Sequence, residues 1–217
     1  MQKMPTIFER DWDGDRSRVI NEINPEAQWV FDGVGVATRK LDGTSCAVLD
    51  GKFYKRREVK KGKPEPIDFM LSSSDEKTGK KTGWVPVTDD DKWHMEAWNS
   101  AGGSVPDGTY ELVGPKVQSN PEGAGAHILV SHAWAERFPD APIDFDGLQS
   151  WLSGKDIEGL VWHHPDGRMA KIKLRDFGLT RPNPAILGAA IDPRSPDADY
   201  PAELYAKHNI TKMERAS

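Results

Sequence analysis

Alternating apolar and polar positions predict short β-strands in the first part of the chain. The segments VATRK, SCAVL and KFYKRR, within residues 36–57, alternate with a period close to two. An Asp-Gly pair stands in each of the two connections, and this pair is typical of tight hairpin turns. We therefore expect consecutive antiparallel strands in this part of the chain.

Later segments follow the same pattern or have helical spacing. Strands are predicted for GTYELVG, HILVSHAW, IEGLVWHH and RMAKIKL, with the turn sequence PDG between the last two. Helices are predicted for DDDKWHMEAWNSAGG and DFDGLQSWLSGK, each with an acidic N-cap and a closing glycine. Residues 60–88 are polar and predict a long surface excursion. The whole pattern favours an α+β domain built mostly of antiparallel strands.

Composition and charge narrow the class of protein. The chain has 217 residues, a formal net charge of −5 and one cysteine. A single cysteine excludes an internal disulfide framework, and no apolar run approaches the roughly 18 residues of a membrane span. We expect a soluble, intracellular (cytoplasmic) protein with no membrane partner. The acidic balance is unlike that of a protein that coats nucleic acid, although residues 52–63 are strongly basic and indicate either phosphate binding or a solvated face.

Lys40 is the first candidate for chemistry, because it stands where a predicted strand meets the turn LDG. An exposed lysine is a protonated, poor nucleophile at neutral pH, whereas desolvation or neighbouring cations favour its free amine. In such surroundings Lys40 could attack a phosphorus atom and form a phosphoramidate. An ordinary lysine on an edge strand is the alternative that the four residues KLDG leave open.

Carboxylates and paired lysines elsewhere strengthen that hypothesis. Glu111 and Glu158 stand in otherwise apolar segments, and together with Asp42 they could hold a hydrated Mg²⁺ ion, which prefers oxygen ligands. Lys171 and Lys173 lie on one face of a predicted strand, where an anion such as a triphosphate would relieve their repulsion. Taken singly, each of these residues also fits a solvent-facing position.

Five segments in order, KLDGT, KRR, YELVGP, EGLVW and KIKL, resemble the motifs of the covalent nucleotidyltransferases. That superfamily includes ATP-dependent DNA and RNA ligases and mRNA-capping guanylyltransferases. The longer segments TYELVGPKVQSNPEG, HILVSHAW and EGLVWHHPDGRMAKIKLRDF are similar to small RNA ligases that join a 5′-phosphate to a 3′-hydroxyl. The resemblance covers residues 28–178 and rests on the order and spacing of the five motifs.

The resemblance implies a fold and a domain organisation. Residues 1–180 would form an α+β nucleotidyltransferase (ATP-grasp-like ligase) domain of antiparallel sheets with flanking helices. Residues 181–217 would form a short tail with one helix, PAELYAKHNI, and no OB-fold domain. DNA ligases and capping enzymes usually carry that extra domain, so its expected absence favours the RNA ligase branch.

The resemblance also implies roles at the nucleotide. Lys40 would be the adenylated nucleophile, and Lys171 and Lys173 would grip the α-phosphate. Arg56 would meet the ribose and the phosphate, with Arg57 one residue away and the register between them open. The same resemblance places His132 on a strand flanking the adenine, where stacking on the base and a core or surface position are both open.

The metal site and the activity follow from the same resemblance. Asp42, Glu111 and Glu158 would hold Mg²⁺ or Mn²⁺, with Glu111 also near the ribose. ATP would be the co-substrate, and the partner would be RNA with 5′-phosphate and 3′-hydroxyl ends, joined through a lysyl-AMP and an RNA-adenylate intermediate. The alternatives are a GMP-transferring capping-type enzyme, a DNA ligase, or a module that binds RNA ends without chemistry. The oligomeric state stays open.

Overall fold

Twelve strands and three helices make up the regular structure of the computed structural model, which describes residues 4–76 and 78–181. The strands are β1 (Phe8–Arg10), β2 (Val19–Ile23), β3 (Val36–Lys40), β4 (Thr44–Leu49), β5 (Lys52–Val59), β6 (Met70–Asp75), β7 (Lys80–Pro86), β8 (Gly108–Val113), β9 (Ile128–Ser131), β10 (Arg137–Phe138), β11 (Gly159–His163) and β12 (Met169–Lys173). The helices are α1 (Gln28–Phe31), α2 (Lys92–Ser100) and α3 (Phe145–Ser153). Short 3₁₀ turns occupy Pro25–Ala27, His132–Trp134 and Leu174–Phe177.

These elements form two compact units. Within the described residues, the first unit comprises 4–42 and 135–181, and the second unit comprises 43–134. The chain passes from the first unit to the second immediately after Asp42, within the KLDG motif.

The first unit is built on a four-stranded antiparallel sheet. Its strand order is β10-β3-β11-β12, and a separate β1-β2 ribbon accompanies it. One face of the sheet is apolar because alternate residues of β11 and β12, among them Leu160, Trp162 and Ile172, point into the core. Helix α3 packs Leu148 and Leu152 into the same core, and the Asp144 carboxylate caps its N-terminus by accepting from the Gly147 N–H at 2.7 Å.

The second unit is a six-stranded antiparallel sheet in the order β6-β7-β5-β4-β8-β9. Helix α2 packs against one face of it, where Phe53 stacks on Trp98 with ring centroids 5.0 Å apart. Cys46 lies in the same core and is fully buried, as expected for a small apolar side chain.

Strands β3, β4 and β5 and both predicted helices are confirmed, and the α+β class with them. The predicted antiparallel pairing is confirmed for β4 with β5. The predicted hairpin of β3 with β4 is wrong, because β3 pairs with β10 and β11 in the first unit and β4 pairs with β5 and β8 in the second. The resemblance to a nucleotidyltransferase fold stays a prediction, as does the single domain over residues 1–180. The predicted helix PAELYAKHNI lies outside the described residues. None of the helices in the described part of the chain is long and apolar enough to cross a membrane.

The predicted surface excursion over residues 60–88 is wrong. Strands β6 and β7 occupy much of it, and Trp84 of β7 is 1% exposed against Ala47 and Leu49. The polar composition concealed these strands, since β6 contains three serines and an aspartate and β7 begins with two lysines and a threonine. The predicted strand HILVSHAW is also shorter than expected, since β9 ends at Ser131 and His132 begins a 3₁₀ turn.

Candidate active site

Lys40 is the last residue of β3, and the sheet register places it near Lys171 and Lys173 of the KIKL segment on β12. Gly159 of β11 lies opposite Lys40 on one side and opposite Lys173 on the other. Cross-strand partners point to the same face of a sheet, so Lys40 and Lys173 stand on one face with a glycine between them. Lys171, two residues before Lys173, is on that face as well.

Gly159 is required for this arrangement. A Cβ atom there would lie 2.0 Å from the Ile172 carbonyl oxygen and 2.7 Å from the Lys173 Cα. The close approach of β12 therefore needs a residue without a side chain. The EGLVW motif thus supplies the backbone space that brings the two lysines together.

Glu158 precedes β11 and contacts both lysines. Its Oε2 lies 2.5 Å from the Lys40 Nζ, and its Oε1 accepts from the Lys173 Nζ. Burial raises the pKa of Glu158, but the positive charges of Lys40 and Lys173 outweigh burial and hold this pKa below its ordinary value. The carboxylate is therefore ionised at neutral pH. Sequence reasoning placed Glu158 inside a strand, whereas it lies just before one.

Lys171 is the third cation of this face. Burial, together with the positive charges of Lys173 and Lys40, lowers the pKa of Lys171 from 10.5 to about 8. Its neighbours Ala170 and Ile172 are fully buried on the opposite face, as the alternation predicted. The first unit thus gathers three amines around one carboxylate, an arrangement suited to binding an anion.

Glu111 of β8 belongs to the second unit and is held by hydrogen bonds. Its Oε1 accepts from the Gly43 N–H at 3.0 Å, and its Oε2 lies 3.0 Å from the His132 Nε2. The His132 Nδ1 lies 3.0 Å from the Thr109 Oγ1. The Gly43 backbone lies close to β8. A Cβ atom at this position would lie 2.2 Å from the Leu112 carbonyl oxygen and 2.9 Å from the Glu111 Cγ.

Arg56 and Arg57 of β5 are both exposed and point to opposite faces of their sheet. Lys55 pairs with Cys46, and Ser45 pairs with Glu111, so the alternation places Arg56 on the same face as Ser45 and Glu111. Arg57 lies on the other face, which carries Phe53 and α2.

Among the described residues, no group of three or more histidine, cysteine or acidic side chains is arranged to hold a metal ion. The structure places Glu158 and Asp42 in the first unit and Glu111 in the second. A carboxylate such as Glu158 still fits Mg²⁺, since this ion is commonly held by one or two carboxylates together with water and substrate phosphates.

The hydrogen bonds of His132 and Gly43 to Glu111 were not predicted. The sequence left His132 open between stacking on the base and a core or surface position, and it marked Gly43 only as part of an Asp-Gly turn. Their partner is a side chain on β8, more than twenty residues before His132, and such pairing appears only in the folded sheet. Burial, with the nearby Glu111 carboxylate, raises the pKa of the Cys46 thiol, in keeping with a core role.

Comparison with known proteins adds an independent observation. The family model for RNA ligase 1 matches residues 103–192, which include the YELVGP, EGLVW and KIKL segments. RNA ligase 1 of Danio rerio is 31% identical over 46% of this chain and 41% of its own length. RNA ligase 1 of Pongo abelii is 31% identical over 50% of this chain and 44% of its own length. RNA ligase 1 of Rattus norvegicus is 28% identical over 60% of this chain and 48% of its own length.

Over the matched residues the chain is similar to RNA ligase 1. The chain spans less than half of the length of these curated RNA ligase relatives.

Proposed function

We propose that the protein is an ATP-dependent RNA ligase that works through a covalent lysyl-AMP on Lys40. The single observation that carries the proposal is the cluster of Lys40, Lys171 and Lys173 around Glu158, which is built from the motifs that resemble those of the ligases. The match to RNA ligase 1 supports RNA as the substrate class.

The proposed reaction has three steps. The Lys40 amine attacks the α-phosphorus of ATP, so that an N–P bond forms, pyrophosphate leaves and the amine gives up a proton. A 5′-phosphate oxygen of the RNA then attacks the same phosphorus, and the Lys40 nitrogen leaves and regains a proton. The 3′-hydroxyl finally attacks the RNA 5′-phosphorus, releasing AMP and a proton as the strands are joined.

Positioning and charge neutralisation are the main demands of such transfers. Lys171 and Lys173 supply positive charge on the face that carries Lys40, and the strand register fixes all three. Glu158 contacts Lys40 in this structure, so the amine must leave that contact before it can attack. Binding of the triphosphate to Lys171 and Lys173 would favour that exchange of partners.

A divalent cation fits the proposal. Glu158 and Asp42 are the candidate ligands in the first unit, and the cation would supply further neutralisation of the phosphate charge. The roles of Arg56 and Glu111 at the nucleotide rest on the motif resemblance, and the shared face of Ser45, Arg56 and Glu111 favours Arg56 over Arg57.

Intact-mass measurement tests the proposal directly. The protein is incubated with ATP and Mg²⁺, and the expected product carries the mass of one AMP, with pyrophosphate released. The variant Lys40→Ala should show no adduct, and the variant Arg168→Ala, on the exposed β11-β12 turn, should show the normal amount. A wild-type protein that stays unmodified with Mg²⁺ and with Mn²⁺ would contradict the proposal, and an adduct formed only with GTP would indicate capping-type chemistry.

A further inference from the structure

His132 joins two side chains of β8 that are two residues apart. Its ring lies directly after β9, the strand that pairs with β8, and its nitrogens lie 3.0 Å from the Thr109 Oγ1 and 3.0 Å from the Glu111 Oε2. Thr109 and Glu111 are 6% and 9% exposed and the His132 side chain is 20% exposed, so both contacts are partly shielded from water. Polar contacts shielded in this way restrict the side chains that make them.

The two hydrogen-bond partners of His132 assign a role to each ring nitrogen of the neutral imidazole. A carboxylate oxygen accepts hydrogen bonds, so the His132 Nε2–H donates to the Glu111 Oε2. In the neutral ring the Nδ1 is then an acceptor, and the Thr109 hydroxyl donates to it. Thr109 thereby fixes the plane of the ring, and the ring fixes one oxygen of the carboxylate.

The other oxygen of Glu111 accepts from the Gly43 N–H at 3.0 Å. The two oxygens therefore have one donor each, from different parts of the second unit, and the carboxylate cannot rotate without losing one of them. Each carboxylate oxygen accepts about two hydrogen bonds, so acceptor capacity remains for a ligand.

Ser45 supplies a second observation beside the carboxylate. It is the direct cross-strand partner of Glu111 and points to the same face of the sheet. Its Oγ is buried and has no hydrogen-bond partner among the described residues. Buried polar atoms are usually paired, so this hydroxyl indicates a place for a polar group of a ligand next to Glu111.

We propose that His132 is a positioning residue that presets the Glu111 carboxylate for a ligand hydroxyl or a hydrated cation. The proposal rests on the proposed function, in which Glu111 serves the nucleotide. Donors placed before the ligand arrives avoid the free-energy cost of reorganisation during the reaction. Stacking on a base is not needed for this role, because the ring acts through its two nitrogens.

Four variants test the proposal by single-turnover formation of the AMP adduct at increasing ATP concentration. His132→Ala removes both hydrogen bonds and should lower the maximal rate by about tenfold to hundredfold, the range expected for a lost bond to a charged group. His132→Gln keeps a donor toward Glu111 and should recover the rate to within about threefold of wild type. Thr109→Val keeps the side-chain shape, loosens the ring and should lower the rate by about threefold to tenfold.

The matched control is Glu96→Ala. It breaks another histidine–glutamate contact of the second unit, between the His127 Nδ1 and the Glu96 Oε1 at 2.8 Å, and should leave the rate within about twofold of wild type. Circular dichroism melting of all four variants separates a lower rate from a lower folded fraction. An NMR measurement of the His132 ring nitrogens in wild type should show the Nε2–H tautomer.

The outcomes separate this inference from the proposed function. A wild type that forms no adduct removes the proposed function and this role with it. A normal adduct with His132→Ala at the wild-type rate overturns the positioning role alone, as does an Nδ1–H tautomer. Failure of His132→Gln to restore activity while remaining folded would also contradict it, because a donor to Glu111 would then be insufficient.

Discussion

The lysine cluster of the first unit and the Glu111 cluster of the second unit are built on opposite principles. In the first unit Lys40 and Lys173 share one carboxylate, and Lys171 adds a third positive charge. In the second unit one carboxylate is held by a backbone N–H and an imidazole. The first arrangement has an excess of positive charge that an anion would balance, whereas in the second each carboxylate oxygen of Glu111 already accepts one hydrogen bond.

This difference predicts how substitutions in each cluster change the stability of the folded protein. Like charges held together by register raise the free energy of the folded protein, so their removal can stabilise it. A hydrogen-bonded carboxylate stabilises its own surroundings, so loss of a partner leaves a buried polar group unpaired. Variants in the two clusters should therefore separate effects on activity from effects on stability.

The largest effect is expected for Glu158→Gln. The substitution removes the negative charge that Lys40 and Lys173 contact, and with it a candidate metal ligand. We expect formation of the AMP adduct to fall by about a hundredfold or more. Asp166→Asn, an acidic position exposed on the β11-β12 turn, is the control, and equal losses in both variants would contradict a special role for Glu158.

Gly43→Ala tests the close approach in the Glu111 cluster. The new Cβ would lie 2.2 Å from the Leu112 carbonyl oxygen, so the backbone must shift and the N–H donated to Glu111 must move. We expect the free energy of unfolding to fall by about 2 kcal/mol in urea titration. Gly125→Ala has open space around its Cβ and should change this free energy by less than about 0.5 kcal/mol.

Lys171→Met tests the excess of charge in the lysine cluster. The pKa of Lys171 is about 8 in the folded protein and 10.5 when the side chain is free, so the unfolded chain binds more protons between these values. Wild-type stability should therefore rise with pH across this window, and the cost of the charged amine is fully present below pH 8.

At pH 7 the free energy of unfolding of Lys171→Met should therefore exceed that of wild type by about 1–3 kcal/mol, and this difference should shrink towards pH 10. Its adduct formation should nevertheless fall by about tenfold. Urea titrations at pH 7 and pH 10, with adduct rates at pH 7, check both parts. A variant less stable than wild type at both pH values would contradict the claim that the positive charge of Lys171 destabilises the folded protein.

The smallest effect is expected in the basic run of residues 52–63. Lys60 and Lys61 are exposed and form no ion pair with another described residue, whereas Lys80 and Lys81 contact Glu58 and Glu65 at 3.1 and 2.5 Å. Replacing Lys60 and Lys61 with Gln should weaken binding of single-stranded RNA about fivefold. The number of counterions released on binding, measured from the slope of log affinity against log salt concentration, should fall by about one.

The control for this prediction is the double replacement of Lys80 and Lys81 with Gln. Both double variants change the net charge equally, so long-range attraction to RNA changes equally and the difference isolates direct contacts. Equal affinities of the two variants, measured by fluorescence anisotropy at several salt concentrations, would argue against a specific role for the basic run.

The sequence predicted local structure best where one pattern dominated. The alternation in KIKL correctly placed Lys171 and Lys173 opposite a buried face, and Asp50-Gly51 marked the real turn between β4 and β5. Asp42-Gly43 instead connects strands of two different sheets, which the turn signal alone does not distinguish from a hairpin. Strands β6 and β7 were missed because SSSD in β6 and KKT in β7 are polar runs without alternation, and burial of Trp84 comes from residues distant in the chain.

The sequence predicted which residues belong to the candidate site, but it did not predict which of them contact one another. Motif order named Lys40, Glu158 and Lys173, but their shared position around Gly159 depends on how three strands align. The link from Thr109 through His132 to Glu111 joins β8 to the turn after β9, and spacing along the chain carries no signal for it.

Peptide mapping of the AMP adduct tests the central claim most directly. After incubation with ATP and Mg²⁺, the protein is digested and the modified lysine is located by tandem mass spectrometry. Lys171 is the informative competitor, because its lowered pKa gives it a larger share of free amine near neutral pH than an ordinary lysine has. The account predicts AMP on Lys40 alone, whereas AMP on Lys171 or Lys173, or a protein without AMP, would contradict it.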